Sequence, residues 1–356
     1  MRVKASIGSA IYRLIRFGII QATYIIQALY QKPKDLETAV DIGDWLVHHT
    51  SRLPGLRERI PDTLGLSVCG LYFPSPITIA AFKSDAGSLR LWLALGAGGV
   101  CIKTVQTDAH AGNPRPRLAT LGTDSLINSL GLPNKGLANL LSNLKTGSLS
   151  TLAAFNRPIG ISVRPRDTAD WLHMIQAITA CDLPMPYYIE LNTSCPNLGQ
   201  TPEANQSIAA WLTQARAYTA VPISLKLSPM WSDDAVLDLL SSIQIDNLML
   251  NSGNSYYETC HAARLPETAL ATGGGGVTGA RLFDKMLARL ALIAPYNRPI
   301  IATGGIRSLK QAQLAQAAGA TLIGMATAVV YDPYAITRLN YDLNCLQKNH
   351  KTSSLS

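Results

Sequence analysis

A chain of 356 residues with 47% hydrophobic content can build one large core with a small appendage, but not many domains. Its six cysteines (Cys69, Cys101, Cys181, Cys195, Cys260, Cys345) show no C-x-x-C pairing and no regular spacing, which argues against a metal site and a disulfide framework and for a reducing, cytosol-facing compartment. The formal net charge of +8 comes without an RNA-binding motif or an aromatic-interleaved basic run, so an anionic small ligand or a lipid surface is expected as partner, and no nucleic acid.

The charge is concentrated at the start of the chain. Arg2, Lys4, Arg13, Arg16, Lys32 and Lys34 lie within the first 34 positions, which hold no acidic residue, and they flank the charge-free residues 17–30. Those 14 residues fall short of the roughly 20 that a bilayer-spanning helix needs, so the composition predicts a helix lying in the membrane interface. A secretory cleavage site is missing. After Pro33, Leu36, Val40, Trp45 with Leu46, and His48 with His49 recur at three- and four-residue spacings, predicting a second amphipathic helix over 35–51. Residues 1–60 are therefore expected to form a helical extension, either packed on the main domain as a hairpin or docked on a membrane.

From residue 61 onward, β-rich apolar runs alternate with helical stretches. Eight strands are predicted, at 77–81, 100–104, 158–163, 187–191, 223–227, 247–250, 299–303 and 321–325. Eight β/α units imply an α/β fold, a (β/α)8 TIM barrel over 61–340, with 341–356 as a C-terminal tail. A doubly wound open sheet lacks its main support, because no G-x-G-x-x-G follows the first strand.

Polar residues gather where the predicted strands end, which in such a barrel is the active-site face. They are Lys103 on the second, Asn192, Cys195 and Asn197 after the fourth, Lys226 on the fifth, and residues 251–255 after the sixth. Two inward lysines are costly to bury unless carboxylates or an anionic ligand compensate them. Each asparagine alone is as readily a turn residue or a cap, but several converging on one pocket suit a flat heterocycle with alternating C=O and N–H groups. Glycines add a second ligand: Gly304-Gly305 ends the seventh strand, Gly324-Met325-Ala326-Thr327 ends the eighth, and 273–279 is glycine-rich. Free backbone amides after strands seven and eight are the habitual phosphate site of these barrels, so a phosphate-bearing cofactor is implied.

Several motifs, in order, resemble those of the dihydroorotate dehydrogenases, FMN-containing barrels of pyrimidine biosynthesis. Residues 112–117 resemble G-N-P-x-P-R, 127–134 resemble I-N-x-M-G-x-x-N, 192–197 resemble N-x-S-[SC]-P-N, 251–255 resemble N-S-x-N-S, and 275–279 resemble G-G-x-x-G. The resemblance covers roughly residues 64–335. It implies that Cys195 is the base that removes a proton beside the substrate carbonyl while hydride passes to FMN, and that Asn128, Asn192, Asn197 and Asn254, with Ser255, hold the pyrimidine. It further implies that Lys103 neutralises the substrate carboxylate or the flavin edge and that Lys226 stabilises charge on the reduced flavin. Ala80, Ala81, Lys103, Lys226, Gly275, Gly276, Gly304, Gly305, Met325, Ala326 and Thr327 would contact FMN.

There are departures. Ala80-Ala81 is followed by Phe82-Lys83 where the family has A-S-G or A-A-G, Ala326 replaces a glycine or tyrosine, and residues 104–111 lack the T-P-x-P-Q of the quinone-using class. A cysteine base and N-S-x-N-S resemble the soluble class 1 enzymes, whereas the basic two-helix extension resembles the membrane-associated, quinone-using class 2. A soluble barrel begins almost at once with the hairpin equivalent to 64–73, so the extension favours a quinone acceptor and a peripheral place on the cytoplasmic side of a membrane, or else the cytoplasm. The alternatives are a fumarate-using class 1-type enzyme, another FMN-barrel oxidoreductase, or a non-catalytic barrel without flavin. The oligomeric state stays open.

Overall fold

Short runs of Val, Ile and Leu bounded by glycine, proline or asparagine become the staves of a closed parallel barrel in the computed structural model, which describes residues 2–53, 55–193, 202–253 and 255–353. In chain order the staves are β1 (Ile77–Ile79), β2 (Gly99–Val105), β3 (Ile159–Val163), β4 (Tyr187–Asn192), β5 (Ile223–Lys226), β6 (Leu248–Asn251), β7 (Ile300–Thr303) and β8 (Leu322–Met325). Each pairs with its sequence neighbours, and β8 closes on β1 through Gly324 opposite Thr78. Every predicted strand lies within two residues of an observed one.

The outer faces of the staves and the surrounding helices form one large core that includes Leu89, Leu93, Trp171, Leu212, Leu239 and Ile336. Inside the barrel bottom, Cys101, Tyr188, Met249, Ile301 and Leu322 meet Val68 and Phe73 of an antiparallel hairpin, Leu66–Val68 with Leu71–Phe73. This hairpin plugs the N-terminal mouth, so chemistry is left to the other end. There, Leu118–Leu121, Ser125–Asn128, Gly274–Gly279 and Tyr256–Thr259 form a separate antiparallel sheet. The glycine-rich stretch is thus itself a strand. Cβ atoms at Gly275 and Gly276 would lie 2.3 Å from the Asn128 carbonyl oxygen and 2.7 Å from Ser255 Oγ, so glycine there permits close pairing.

The extension forms two helices, α1 (Arg2–Leu29) and α2 (Leu36–Thr50). Asp35 caps α2 by accepting from the Glu37 amide. Helix α1 begins well before the apolar run that predicts it, and its polarity is reversed relative to an ordinary surface helix. Ala5, Ser9, Thr23 and Gln27 face the protein, while Ile7, Leu14, Ile25 and Leu29 face outward, Leu14 with 72% of its surface exposed. Polar contacts hold this inner face: Ser9 donates to Asp332 at 2.7 Å, Arg13 pairs with the same carboxylate at 2.8 Å, and Lys4 pairs with Glu58 at 3.1 Å. Helix α2 is tied to the barrel by Asp35 to Arg115 at 2.6 Å, Glu37 to Arg117 at 2.7 Å, and Asp44 to Lys83. The last helix, Ala335–Ser353, runs straight through residue 341 and carries Asn340, which donates to the Gly96 carbonyl at 2.8 Å. Among the described residues, no helix is long and apolar enough to cross a membrane.

Candidate active site

Register brings three of the polar strand ends together: Asn192 on β4 lies opposite Lys226 on β5, which lies opposite Asn251 on β6. Lys226 is 1% exposed, and an ammonium at that depth requires a counter-charge. Glu190, two residues before Asn192 on the same face of β4 and equally buried, supplies it at 3.7 Å. The carboxylate is fully engaged, accepting from Ser162 Oγ and from Asn251 Nδ2, both at 2.9 Å. Ser162 in turn shares a 2.8 Å hydrogen bond with Thr104 Oγ1, which also accepts from Asn192 Nδ2 at 2.8 Å. Thr193 Oγ1 closes the group by donating to the Lys226 carbonyl at 2.6 Å. The network spans β2 to β6 and fixes the amide of Asn192 and the ammonium of Lys226 in a water-poor layer.

The second lysine has a different environment. Pairing of β2 with β3 shifts register between Ile102 and Val105, and Lys103 lies at that irregularity with its amide donating to the Lys83 carbonyl at 2.9 Å. Among the described residues, Lys103 has no carboxylate partner. Burial, reinforced by the positive charges of Lys83 and Arg117, lowers its pKa to about 8. Of the two possibilities for the inward lysines, Lys226 therefore takes the carboxylate and Lys103 keeps a charge suited to an anion. It lines a cavity of about 550 Å³ with His48, Asp85, Asn134 and Lys135. Asn128 ends a strand of the sheet over the barrel mouth, beside Gly275, Gly276 and Ser255, and Ser129 Oγ is buried with no hydrogen-bond partner among the described residues.

At β1, Ala80 donates its amide to the Met325 carbonyl at 2.9 Å, keeping two small side chains at the strand end. Phe82, which stands where the family pattern has glycine, turns its ring onto Trp92 with centroids 5.0 Å apart, and Lys83 turns to Asp44 of α2. The loops after β7 and β8 line a cavity of about 640 Å³ that includes Thr303, Gly304, Gly305, Ala326 and Thr327. Gly304 and Gly305 have φ of 152° and 72°, and a Cβ on Gly305 would lie 2.6 Å from the Gly279 carbonyl oxygen. Thr303 Oγ1 is buried in this wall with no hydrogen-bond partner among the described residues. A glycine-built cradle with an unmatched hydroxyl fits a phosphate-bearing cofactor. Cys195, Asn197 and Asn254 lie outside the described residues.

Glu190, Thr104 and Ser162 are participants that motif reading does not single out. The only local signal was an acid inside the apolar strand Tyr-Tyr-Ile-Glu-Leu, where a charge has no solvent to face.

A closed (β/α)8 barrel with buried cations and amides at its C-terminal strand ends, beside a glycine cradle, is the layout of a barrel enzyme that takes an anionic substrate and a phosphate-bearing cofactor. The profile of the dihydroorotate dehydrogenase family matches residues 63–345, and the chain belongs to that family. Among curated relatives, the dihydroorotate dehydrogenase (quinone) of Sinorhizobium medicae is 30% identical over 330 residues, covering 86% of this chain and 87% of the relative. The dihydroorotate dehydrogenase (quinone) of Thermosynechococcus vestitus is 29% identical over 325 residues, covering 83% and 86%. A crystal structure of DHODH in complex with ferulenol from Eimeria tenella superposes with a TM-score of 0.74 at 21% identity, covering 89% of this chain and 93% of the other, and supports the fold.

Proposed function

We propose that this protein oxidises dihydroorotate to orotate, with FMN as immediate hydride acceptor and a quinone as final acceptor, at a membrane surface that α1 contacts. The observation that carries the reading is the row Asn192, Lys226 and Asn251 on adjacent strands beside the glycine cradle, in a chain of this family. Asn192, with Asn128, Asn197 and Asn254, presents amides to the alternating C=O and N–H groups of the pyrimidine, and Ser255 lies beside them. Lys103 meets the substrate carboxylate. Cys195 takes the proton from the ring carbon next to the carbonyl; hydride leaves the neighbouring carbon, and the C=C bond of orotate forms between them. An unperturbed thiol has a pKa of about 8.5, so a base near neutral pH draws on pre-positioned hydrogen bonding or nearby cations. When bound, FMN supplies the two-electron acceptor. Ala80, Ala81, Gly275, Gly276, Gly304, Gly305, Met325, Ala326 and Thr327 would hold it, the last five toward its phosphate end, and Lys226 would favour negative charge on it.

Lys103 gives the reading a pH signature. Its ammonium is charged below its pKa of about 8 and neutral above, so attraction for a carboxylate is present at neutral pH and lost in alkali. The KM for dihydroorotate is expected to climb as pH rises through 8, and Lys103→Met to raise KM at neutral pH and flatten that climb; a wild-type KM constant from pH 7 to 9 removes this role from Lys103.

The acceptor and the membrane are tested together. Turnover with a quinone, fumarate and NAD, measured side by side, is expected to favour the quinone. Sedimentation with anionic vesicles is expected to carry the protein down, and Leu14→Asp with Ile25→Asp to leave it in the supernatant, because these exposed side chains would otherwise enter the lipid boundary. Turnover with fumarate alone would instead place the enzyme with the soluble class.

A further inference from the structure

The glycine cradle is closed by residues that the barrel does not supply. Opposite Thr303, Gly304, Gly305 and Thr327, the wall of the cavity of about 640 Å³ is built from α1, through Arg13, Arg16, Phe17 and Ile20. Four guanidinium groups (Arg13, Arg16, Arg307, Arg338) and two carboxylates (Asp124, Asp332) line it. Three of the four are committed: Arg13 and Arg338 share Asp332, and Arg307 pairs with Asp124 at 2.7 Å. Arg16 pairs with no carboxylate among the described residues. Its guanidinium rests over the Tyr331 ring, 4.3 Å from the centroid, and Tyr331 is held in turn by donating to the Ser125 carbonyl at 2.9 Å. A guanidinium carries five N–H donors, so beyond its hydrogen bond to Tyr331 the Arg16 side chain keeps others available, and its charge is permanent. The excess of two positive charges over the cavity walls matches a phosphate dianion.

We propose that Arg16 is the cation that completes the phosphate end of the flavin site, so that the N-terminal helix retains the cofactor as well as facing the membrane. This rests on the flavin reading above. It makes α1 part of the binding site: helix and barrel share one cavity, and loss of the helix would open the cradle to water and remove its uncommitted charge. The barrel contributes backbone amides, and Arg16 contributes charge. Arg13 acts differently, since it is spent on Asp332 and serves to dock the helix.

The test is fluorescence titration of flavin-stripped full-length protein with FMN and, in parallel, with riboflavin, which lacks the phosphate. Wild type is expected to prefer FMN. Arg16→Gln is expected to weaken FMN binding about ten- to a hundredfold, the value of one charge-assisted hydrogen bond, and to leave riboflavin binding unchanged, thereby collapsing the preference. Arg16→Lys keeps the charge and should recover most of the loss, and Lys32→Gln, beyond the C-terminal end of α1, should change nothing. Circular dichroism checks that the helix persists. If Arg16→Gln is poorly folded, Arg16→Met, which also removes the charge, is read by the same pair of titrations and gives the same answer. An FMN preference unchanged in Arg16→Gln would overturn the role of Arg16 while leaving the flavin reading intact. Wild type that binds neither flavin, or binds both equally, would overturn the flavin-phosphate reading itself.

Discussion

Replacing Cys195 by alanine abolishes reduction of the bound flavin by dihydroorotate on the time scale of turnover and leaves the protein yellow. The physical ground is that dihydroorotate oxidation removes both a proton and a hydride. A hydride cannot leave readily unless the neighbouring C–H bond yields its proton, and Cys195 is the sole titratable side chain within the 192–197 motif. A positioned general base is worth about 10²–10⁴-fold, so the variant's reduction rate falls by at least two orders of magnitude. Stopped-flow absorbance under anaerobic conditions reads this directly. Cys195→Ser should retain a fraction of the rate, because a hydroxyl occupies the same place but is a weaker base at neutral pH. A rate in Cys195→Ala within tenfold of wild type would move the proton to another group.

The second large effect is on stability. Glu190→Ala strips Lys226 of its counter-charge at a position 1% exposed and leaves Ser162 and Asn251 without the acceptor that both use. Removing one partner of a buried ion pair costs about 3–5 kcal/mol, a large part of a domain's net stability. Urea denaturation of Glu190→Ala should show a loss of that size, and Glu190→Gln a smaller one because an amide oxygen still accepts. Adding Lys226→Met to Glu190→Ala removes the orphaned charge and should restore much of the stability. A Glu190→Ala loss below about 1 kcal/mol would mean that water reaches this layer and that the pair is a surface one in effect.

The barrel was legible because each stave is a short, mainly apolar run with its own punctuation, and the alternation of eight such runs admits few folds. The lysine and asparagine strand ends were legible for the same reason: once a strand is placed, its last residues are placed too. What could not be read locally was set by partners distant in sequence. Glu190 looks like an isolated acid until β5 and β6 place Lys226 and Asn251 against it. Gly275 and Gly276 suggest a loop until Ser125–Asn128 and Ser255 crowd them into a strand. Helix α1 was underread because its inner face consists of Ala5, Ser9, Thr23 and Gln27, so the periodic apolar signal faces away from the protein. The pairing of Asp35, Glu37 and Asp44 with Arg115, Arg117 and Lys83 joins segments 39 to 80 residues apart, and no short pattern encodes it.

These ion pairs also explain why the extension and the family motif belong together. Arg115 and Arg117 of the G-N-P-R-P-R segment are held by Asp35 and Glu37 at the start of α2, and Arg117 also donates to the Leu130 and Asn113 carbonyls, stiffening the turn that follows Asn128. The N-terminal helices thereby reach the G-N-P-R-P-R segment through α2 and the glycine cradle through α1.

Oxidation of dihydroorotate through a bound flavin is observable in an anaerobic titration of the purified protein with dihydroorotate while the visible spectrum is recorded. The expected result is a yellow protein whose flavin absorbance bleaches stoichiometrically and returns when a quinone is added. A flavin spectrum unchanged at saturating dihydroorotate, or a protein that carries no flavin, would contradict it.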